Sequence, residues 1–168
     1  MIGIVLEQIL NGLLVGSYYI VLSLGLSIIF SLGGVVNLAH GAFYALGAYF
    51  AYEVQRRLGF GGAVVLSPVG VALVGIVIER LFLRRLYRED PMLGLLFTFG
   101  LAMTAEQSLR LIWGTTGLNF SIPDALRGQL LLGDFIYSYY RLTVLAVTML
   151  AVTGCWLLLN KTPFGMIV

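Results

Sequence analysis

The sequence predicts an all-α, polytopic transmembrane bundle, and its composition and its hydropathy both support that fold class. Of the 168 residues, 60% are hydrophobic and only 11% are charged, and the mean hydropathy is +0.98. A soluble domain carries roughly 25% charged residues, and a fold of this size could not hide so much apolar surface from water. We therefore expect residues 1–168 to form a single transmembrane domain in lipid.

About five segments are long and apolar enough to cross roughly 30 Å of hydrocarbon, which takes about 20 helical residues. They are Ile4–Phe30, Val36–Val54, Gly62–Leu83, Met92–Trp113 and Phe135–Leu159. Residues 31–34 read Ser-Leu-Gly-Gly, so a broken or re-entrant helix is expected near residues 31–41. Pro91 suits the first turn of the fourth helix. The polar stretch Gly114–Asp134 is expected to be an ordered loop outside the membrane.

The arginines indicate an orientation, because positive charge accumulates on the cytoplasmic side of a membrane protein. The segment Arg80–Arg88 holds four arginines and is the best cytoplasmic candidate. Counting spans from it places Gly114–Asp134 outside and Lys161 inside. It also places Arg56 and Arg57 outside, against the rule. The N-terminus then lies outside, or inside if residues 31–38 form a re-entrant break.

Asn37 lies where the second helix should begin and is a candidate N-cap, because its side chain can accept from free N–H groups of the first turn. Gly33 and Gly34 permit a sharp backbone break just before it. Transporters use the positive ends of broken helices to hold anionic solute groups. His40 would lie in that first turn. The alternatives are a solute-binding break and an ordinary capped helix with one satisfied histidine.

Charged residues inside apolar segments usually face a bundle interior or a water-filled path. Glu106 and Arg110 have the i,i+4 spacing, with the acid first, that favours an ion pair on one helix. The pair either neutralises itself near the interface or lines a substrate path. Glu53 is expected to pair with Arg56 or Arg57.

Small residues at four-residue spacing permit close helix contacts in lipid. Gly41 and Ala45 have this spacing, as do Gly12 and Gly16. Packing within this chain is the simpler explanation, and contact with a second membrane subunit is the alternative.

Residues 37–41, Asn-Leu-Ala-His-Gly, followed by Phe43-Tyr44 and by Leu-Gly-Ala-Tyr at residues 46–49, resemble the signature of the LivH-type permeases. These are membrane subunits of bacterial ABC importers for branched-chain amino acids. Further similar segments are residues 11–19, 78–80, 96–101 and 162–165. The resemblance covers essentially the whole chain. Because the family's permeases are close to twice this length, we expect the N-terminal half of a permease, from a truncated gene product or an incomplete sequence.

The resemblance implies a multi-pass conduit in the bacterial inner (plasma) membrane that is driven from outside the chain. The implied partners are a second permease subunit, cytoplasmic ATPase subunits and a periplasmic solute-binding protein, beside membrane lipid. Branched-chain amino acids are the expected solutes, with an amide or urea as the alternative. The residues expected at the substrate path are Asn37, His40, Gly41, Tyr44 and Glu106. The residues expected on the ATPase-contact side are Thr162, Pro163, Phe164 and Gly165.

Neither catalysis nor a cofactor is expected of this chain. His40 and Cys155 are its only histidine and cysteine, so a His- or Cys-based metal cluster is excluded. The sequence contains no GxxxxGK[ST] phosphate-binding loop, so ATP hydrolysis must come from a partner. A net charge of +2 gives no reason to expect nucleic acid. A stand-alone channel or carrier and a membrane-embedded enzyme are weaker alternatives.

Overall fold

A computed structural model describes residues 2–34, 36–87, 89–132 and 135–161. The helices are α1 (Ile2–Gly33), α2 (His40–Ile78), α3 (Arg84–Leu86), α4 (Pro91–Trp113) and α5 (Tyr139–Lys161). A π-helical turn, Glu79–Leu83, joins α2 to α3, and a short 3-10 helix covers Asp124–Leu126. Two antiparallel strands, β1 (Gln129–Leu132) and β2 (Phe135–Ser138), precede α5.

Four helical segments of the described chain are long and apolar enough to cross a membrane. They are Gly3–Ser31, His40–Leu86, Pro91–Trp113 and Tyr139–Lys161. Between 6% and 17% of the most apolar window of each segment is buried within the chain. Most of their apolar surface is therefore left for lipid or for other chains, as expected of a helical membrane protein. Two of the five segments predicted from the sequence lie on the 47-residue segment His40–Leu86.

α2 is interrupted at Gly59, whose φ of 74° and ψ of −178° are not helical. Glycine has no Cβ and adopts positive φ readily, so it permits the chain to turn sharply here. The break divides α2 into a first arm, residues 40–58, and a second arm, residues 60–78. The chain therefore has a reversal point in the middle of its longest helical segment.

The two arms of α2 fold back against each other as an antiparallel helical hairpin. A Cβ atom built on Gly47 would lie 3.5 Å from Cγ2 of Val71, and one built on Gly70 would lie 3.0 Å from the ring of Phe50. Residues about equally distant from Gly59 on its two sides are thus neighbours. The two glycines let the arms approach closely, which favours helix packing in lipid.

α4 packs against both arms of this hairpin. The stacked rings of Phe82 and Phe97 have centroids 5.4 Å apart, and the rings of Tyr49 and Trp113 have centroids 4.9 Å apart. α4 therefore begins beside the end of the second helical arm and ends beside Tyr49 of the first arm. It runs antiparallel to the second arm and parallel to the first.

The chain divides into two compact units. One unit is Leu26–Ser121 and contains the three-helix arrangement of α2 and α4. The other comprises Met1–Gly25 and Ile122–Val168. In this second unit, Nη1 of Arg141 on α5 donates to Oδ1 of Asn11 on α1 at 2.7 Å. The same guanidinium lies 5.9 Å from the centroid of the Tyr137 ring.

The start of α4 agrees with the sequence prediction. Pro91 is its first residue, and Asp90 caps the helix by accepting from the N–H of Met92 at 2.9 Å. Proline suits this position because the first N–H groups of a helix have no partner within it.

Three predicted boundaries were wrong. α2 begins at His40 instead of Val36, because a turn at residues 37–40 leads into it. The third helical span resumes directly after Gly59 instead of at Gly62. The fifth helix begins at Tyr139, because Phe135–Ser138 alternates inward and outward side chains and pairs with β1. The loop before α5 therefore contains a β-hairpin. The apolar sequence of β2 had instead predicted helix.

Candidate functional site

The first feature of the candidate site is the break between α1 and α2, which the sequence predicted. The chain leaves α1 at Gly34, whose φ is +64°. The N–H of Gly34 donates to the carbonyl oxygen of Phe30 at 2.8 Å and closes the last turn of α1. The next helix begins at His40, so the break is a short non-helical segment in an otherwise helical region.

Asn37 is buried within this break and holds its turn together. Its side-chain Oδ1 accepts from the N–H of Ala39 at 3.0 Å, and its carbonyl oxygen accepts from the N–H of His40 at 3.2 Å. The N-cap residue of α2 is Ala39, so the predicted N-cap position was wrong by two residues. Asn37 nevertheless makes the predicted kind of bond, because the turn at residues 37–40 leads directly into the helix.

Thr98 of α4 is the partner of the break that the sequence interpretation missed. Its hydroxyl accepts from the N–H of Leu38 at 3.2 Å and lies 3.4 Å from the carbonyl oxygen of Val36 and 3.1 Å from that of Leu95. Thr98 is fully buried. A buried hydroxyl needs such partners. The available signal was a threonine within an apolar helix, in a segment that resembles the permease family.

These bonds occupy most of the hydrogen-bond donors that the break offers. The N–H groups of residues 38, 39 and 40 are bonded to Thr98 and Asn37. Helix geometry leaves the N–H groups of Gly41 and Ala42 as the next first-turn donors. The break is therefore mainly a structural element, and the next first-turn donors lie beyond it in the helix.

The second feature is a cavity of about 410 Å³ between the first arm of α2 and α4. From the first arm it is lined by Gly41, Ala42, Ala45 and Tyr49. From α4 it is lined by Ala102, Glu106, Leu109 and Arg110. Its volume falls within the range of roughly 300–1,000 Å³ that is typical of small-molecule sites. Two predicted path residues, Gly41 and Glu106, thus lie at one cavity.

Small side chains create this space. A Cβ atom built on Gly41 would meet no other atom of the described chain within 4 Å. Ala45 follows one helical turn later on the same face. The small-residue step of Gly41 and Ala45 therefore lines a cavity, where the sequence had suggested a close helix contact.

Glu106 and Arg110 form the predicted ion pair on the cavity wall. Nη2 of Arg110 donates to Oε1 of Glu106 at 2.6 Å, and the two side chains are 58% and 54% exposed. Both charges are accessible from the cavity, whose remaining lining is mostly apolar. This arrangement can offer one negative and one positive group to a small polar solute.

A second polar contact lies at the end of α4. Nε1 of Trp113 donates to Oε1 of Glu53 at 3.0 Å. Glu53 also lies 3.7 Å from Nη1 of Arg56, so the predicted pairing with Arg56 is confirmed. These contacts join the end of α4 to the first arm beside Tyr49, which lines the cavity.

The other predicted site residues lie elsewhere. Among the described residues, Asn37, His40 and Tyr44 do not line this cavity, although Asn37 and His40 lie at the break just before it. Tyr44 is 54% exposed. Thr162, Pro163, Phe164 and Gly165, predicted on the ATPase-contact side, fall outside the described residues.

The fold and the cavity define a class of protein: a multi-pass helical membrane protein with a solute-sized site between its helices. Residues 8–168 match the family model described as the permease component of branched-chain amino acid transport systems. The chain belongs to this family. Its members are subunits of transport systems, and a multi-pass membrane protein is the form that the four apolar helices also indicate.

Three curated relatives illustrate the similarity. The branched-chain amino acid permease protein BraD of Pseudomonas aeruginosa is 26% identical over 95% of this chain and 56% of its own length. The LivH permease protein of Salmonella typhimurium is 24% identical over 77% of this chain and 44% of its own length. The Escherichia coli K12 LivH protein is 25% identical over 76% and 44%. The chain thus spans about half the length of the curated relatives it matches. No solved structure matches it.

Proposed function

We propose that this chain forms part of the translocation path of a permease in a bacterial ABC importer for branched-chain amino acids. The observation that carries the proposal is the family match over residues 8–168. The names of the relatives supply the solute class, because BraD and LivH are described as high-affinity branched-chain amino acid permeases. The cavity beside Glu106 and Arg110 supplies a place for a solute of that size.

In this proposal the chain crosses the inner membrane five times as one transmembrane domain. The segment His40–Leu86 is 47 residues long, or roughly 70 Å as a straight helix. That length is more than twice the roughly 30 Å of hydrocarbon in a bilayer. The hairpin at Gly59 divides it into stretches of roughly 28 Å and 40 Å. Each stretch suffices for one crossing, which supports five spans.

The proposed orientation puts the arginine-rich end of the Leu26–Ser121 unit in the cytoplasm. Gly34 and Asp90 line one cavity of about 400 Å³, so the break after α1 lies at that same end. At the opposite end, the rings of Phe60 and Phe120 lie 6.2 Å apart, which brings the loop after α4 to the hairpin tip. This arrangement supports a full turn at the break and an N-terminus outside.

The proposed assembly divides the work of transport among subunits. A second permease completes the path, cytoplasmic ATPases supply the energy, and a periplasmic binding protein delivers the solute. The sequence has no phosphate-binding loop of its own, which is consistent with a separate ATPase. Thr162–Gly165 then lies in the cytoplasm and leads toward the ATPase contact.

A labelling experiment tests this orientation. Thr162→Cys in a Cys155→Ser background gives a permease with one introduced thiol at the site of interest. We expect a membrane-impermeant maleimide to label it in inside-out vesicles and not in intact spheroplasts. Labelling in spheroplasts alone would rule out the cytoplasmic position.

The proposed path residues are Asn37, His40, Gly41, Tyr44 and Glu106. Asn37→Leu and His40→Leu, made in the assembled transporter, test the two members of this set that lie at the break. We expect lower uptake per assembled complex in each variant. Normal assembly together with normal uptake in both variants would remove the break from the path.

Solute uptake tests the function itself. The permease containing this chain is expressed with its ATPase and binding protein in cells that lack their own branched-chain amino acid importers. We expect uptake of labelled L-leucine that requires an ATPase able to hydrolyse ATP. Uptake of acetamide or urea without L-leucine would assign the related solute class. Leucine flux that persists with an inactive ATPase would indicate a stand-alone channel or carrier.

A further inference from the structure

We propose that Glu106 and Arg110 recognise the zwitterionic head of an α-amino acid in the cavity between the first arm of α2 and α4. Their mutual bond opens when solute enters, so that Glu106 accepts from the ammonium group and Arg110 donates to the carboxylate. The inference rests on the proposed function. It adds the binding site, the role of each charge and the chemistry that distinguishes a zwitterionic solute from an uncharged one.

The geometry of the pair suits such a head group. Nη2 of Arg110 and Oε1 of Glu106 are 2.6 Å apart, so the opposite charges already occupy one small region of the wall. Residues spaced i,i+4 have Cβ atoms about 5–6 Å apart, and both side chains are long enough to part slightly. The ammonium and carboxylate of an α-amino acid share one carbon atom. One solute molecule can therefore contact both side chains at once.

The remaining wall suits an aliphatic side chain. Ala42, Ala45, Ala102 and Leu109 give the cavity an apolar surface beside the charged pair. An amphipathic solute with a charged head and a branched aliphatic tail has charged and apolar parts that match this wall. An uncharged amide or urea could donate to Glu106 and accept from Arg110, but it carries no charge to replace the opposite charge that each side chain loses when the pair opens. Hydrogen bonds between two charged groups are the stronger ones, so the site favours a zwitterion.

The exposure of the pair argues against a purely structural role. The side chains of Glu106 and Arg110 are 58% and 54% exposed in this chain, and exposed ion pairs stabilise proteins little. Ionised side chains are costly inside a membrane and commonly mark solute pathways. Two neutral side chains would serve insertion better. The charges are therefore available for contact with something outside the chain.

A double substitution separates recognition from insertion. Glu106→Gln together with Arg110→Gln removes both charges and keeps polar side chains of useful length. We expect a normal amount of assembled complex in the membrane and an uptake of L-leucine lowered by about 10- to 100-fold, the loss associated with hydrogen bonds to charged groups. Unchanged leucine uptake by a normally assembled variant would overturn the proposal.

Cavity filling gives a second measurement with a matched control. Gly41 and Gly75 both have no atom of the described chain within 4 Å of a built Cβ, but only Gly41 belongs to the cavity lining described here. We expect Gly41→Val to lower leucine uptake about tenfold or more, because a misfit of about one methylene in a pocket costs roughly 10- to 200-fold. We expect Gly75→Val to leave uptake within twofold. Equal effects at the two positions would contradict the site.

The outcomes distinguish this inference from the proposed function. Absence of leucine uptake by the unaltered transporter would reject the proposed function. Leucine uptake by the unaltered transporter that survives the double substitution would reject only the zwitterion site. If the unaltered transporter also carries acetamide, and the double substitution lowers both solutes equally, the charges do not read a zwitterion and the proposal fails.

Discussion

Two polar features of the Leu26–Ser121 unit use their hydrogen-bonding groups in opposite ways. In the break before α2, the N–H groups of residues 38–40 are bonded within the chain, and the Thr98 that holds one of them is fully buried. On the cavity wall, Glu106 and Arg110 bond each other but stay more than half exposed. Buried bonds specify a structure, because leaving one partner unmet is costly. Exposed charges stabilise little and remain available to a solute.

This difference predicts which substitutions lower stability and which lower uptake. Changes at Gly59, Thr98 and Trp113 should lower the free energy of unfolding and leave uptake per folded molecule nearly unchanged. Changes in the cavity charges should do the reverse. Four substitutions test the division, measured by unfolding of the purified permease in mixed detergent micelles.

The largest loss of stability is expected at Gly59, where the helical hairpin reverses. Its φ of 74° and ψ of −178° lie in a region that is essentially restricted to glycine. Gly59→Ala should lower the free energy of unfolding by about 3 kcal/mol, the upper end of the strain expected there. Gly61→Ala is the matched control, because Gly61 lies two residues away within the helix and has open space around its Cβ position. Equal losses in the two variants would show that backbone strain is not the cause.

Thr98→Val should give the next largest loss. Valine keeps the shape of threonine but removes the buried hydroxyl that accepts from the N–H of Leu38, which should lower the free energy of unfolding by about 2 kcal/mol. Thr104→Val is the control on the same helix, since its hydroxyl bonds the Gly100 carbonyl oxygen at 2.8 Å in an exposed position. A loss no larger than that of the control would mean that the break does not depend on α4.

Trp113→Phe should have a smaller effect. The substitution keeps an aromatic ring beside Tyr49 but removes the N–H that Glu53 accepts at 3.0 Å. Because the contact is only partly buried, we expect a loss of about 1 kcal/mol in the free energy of unfolding. Trp156→Phe, on the 55% exposed Trp156 of α5, should change it by less than about 0.5 kcal/mol. Similar losses in the two variants would show that the indole hydrogen bond does not stabilise the fold.

The sequence predicts local features of the fold better than it predicts contacts between distant residues. The presence of apolar helices long enough to cross a membrane, the break at Gly34 and the start of α4 at Pro91 were predictable, because hydropathy, glycine and proline act over a few residues. The pairs Glu106–Arg110 and Glu53–Arg56 were predictable for the same reason, since spacing along one helix decides which side chains meet.

Interactions across the fold were not predictable in this way. Leu38 and Thr98 are 60 residues apart, and nothing local indicates which threonine of an apolar helix will face a backbone break. The cavity depends on the register of the first arm against α4, which only packing determines. The sequence predicts helix at Phe135–Ser138, where the chain forms a strand, because a short apolar run has no periodicity that distinguishes the two.

The smallest change in stability is expected for Glu106→Gln, and it gives the sharpest test of the comparison. An exposed i,i+4 pair contributes about 0.3–0.5 kcal/mol, so the free energy of unfolding should change by no more than that. Gln107→Glu is a matched control, because it leaves the charge of Glu106 in place and alters the neighbouring position on the same helix. If Glu106→Gln costs as much stability as Thr98→Val, the pair is part of the structure in the same sense as the break, and the division between closed and open polar groups fails. If stability holds while leucine uptake falls, the charge acts on the solute, because the fold no longer offers another route for its effect.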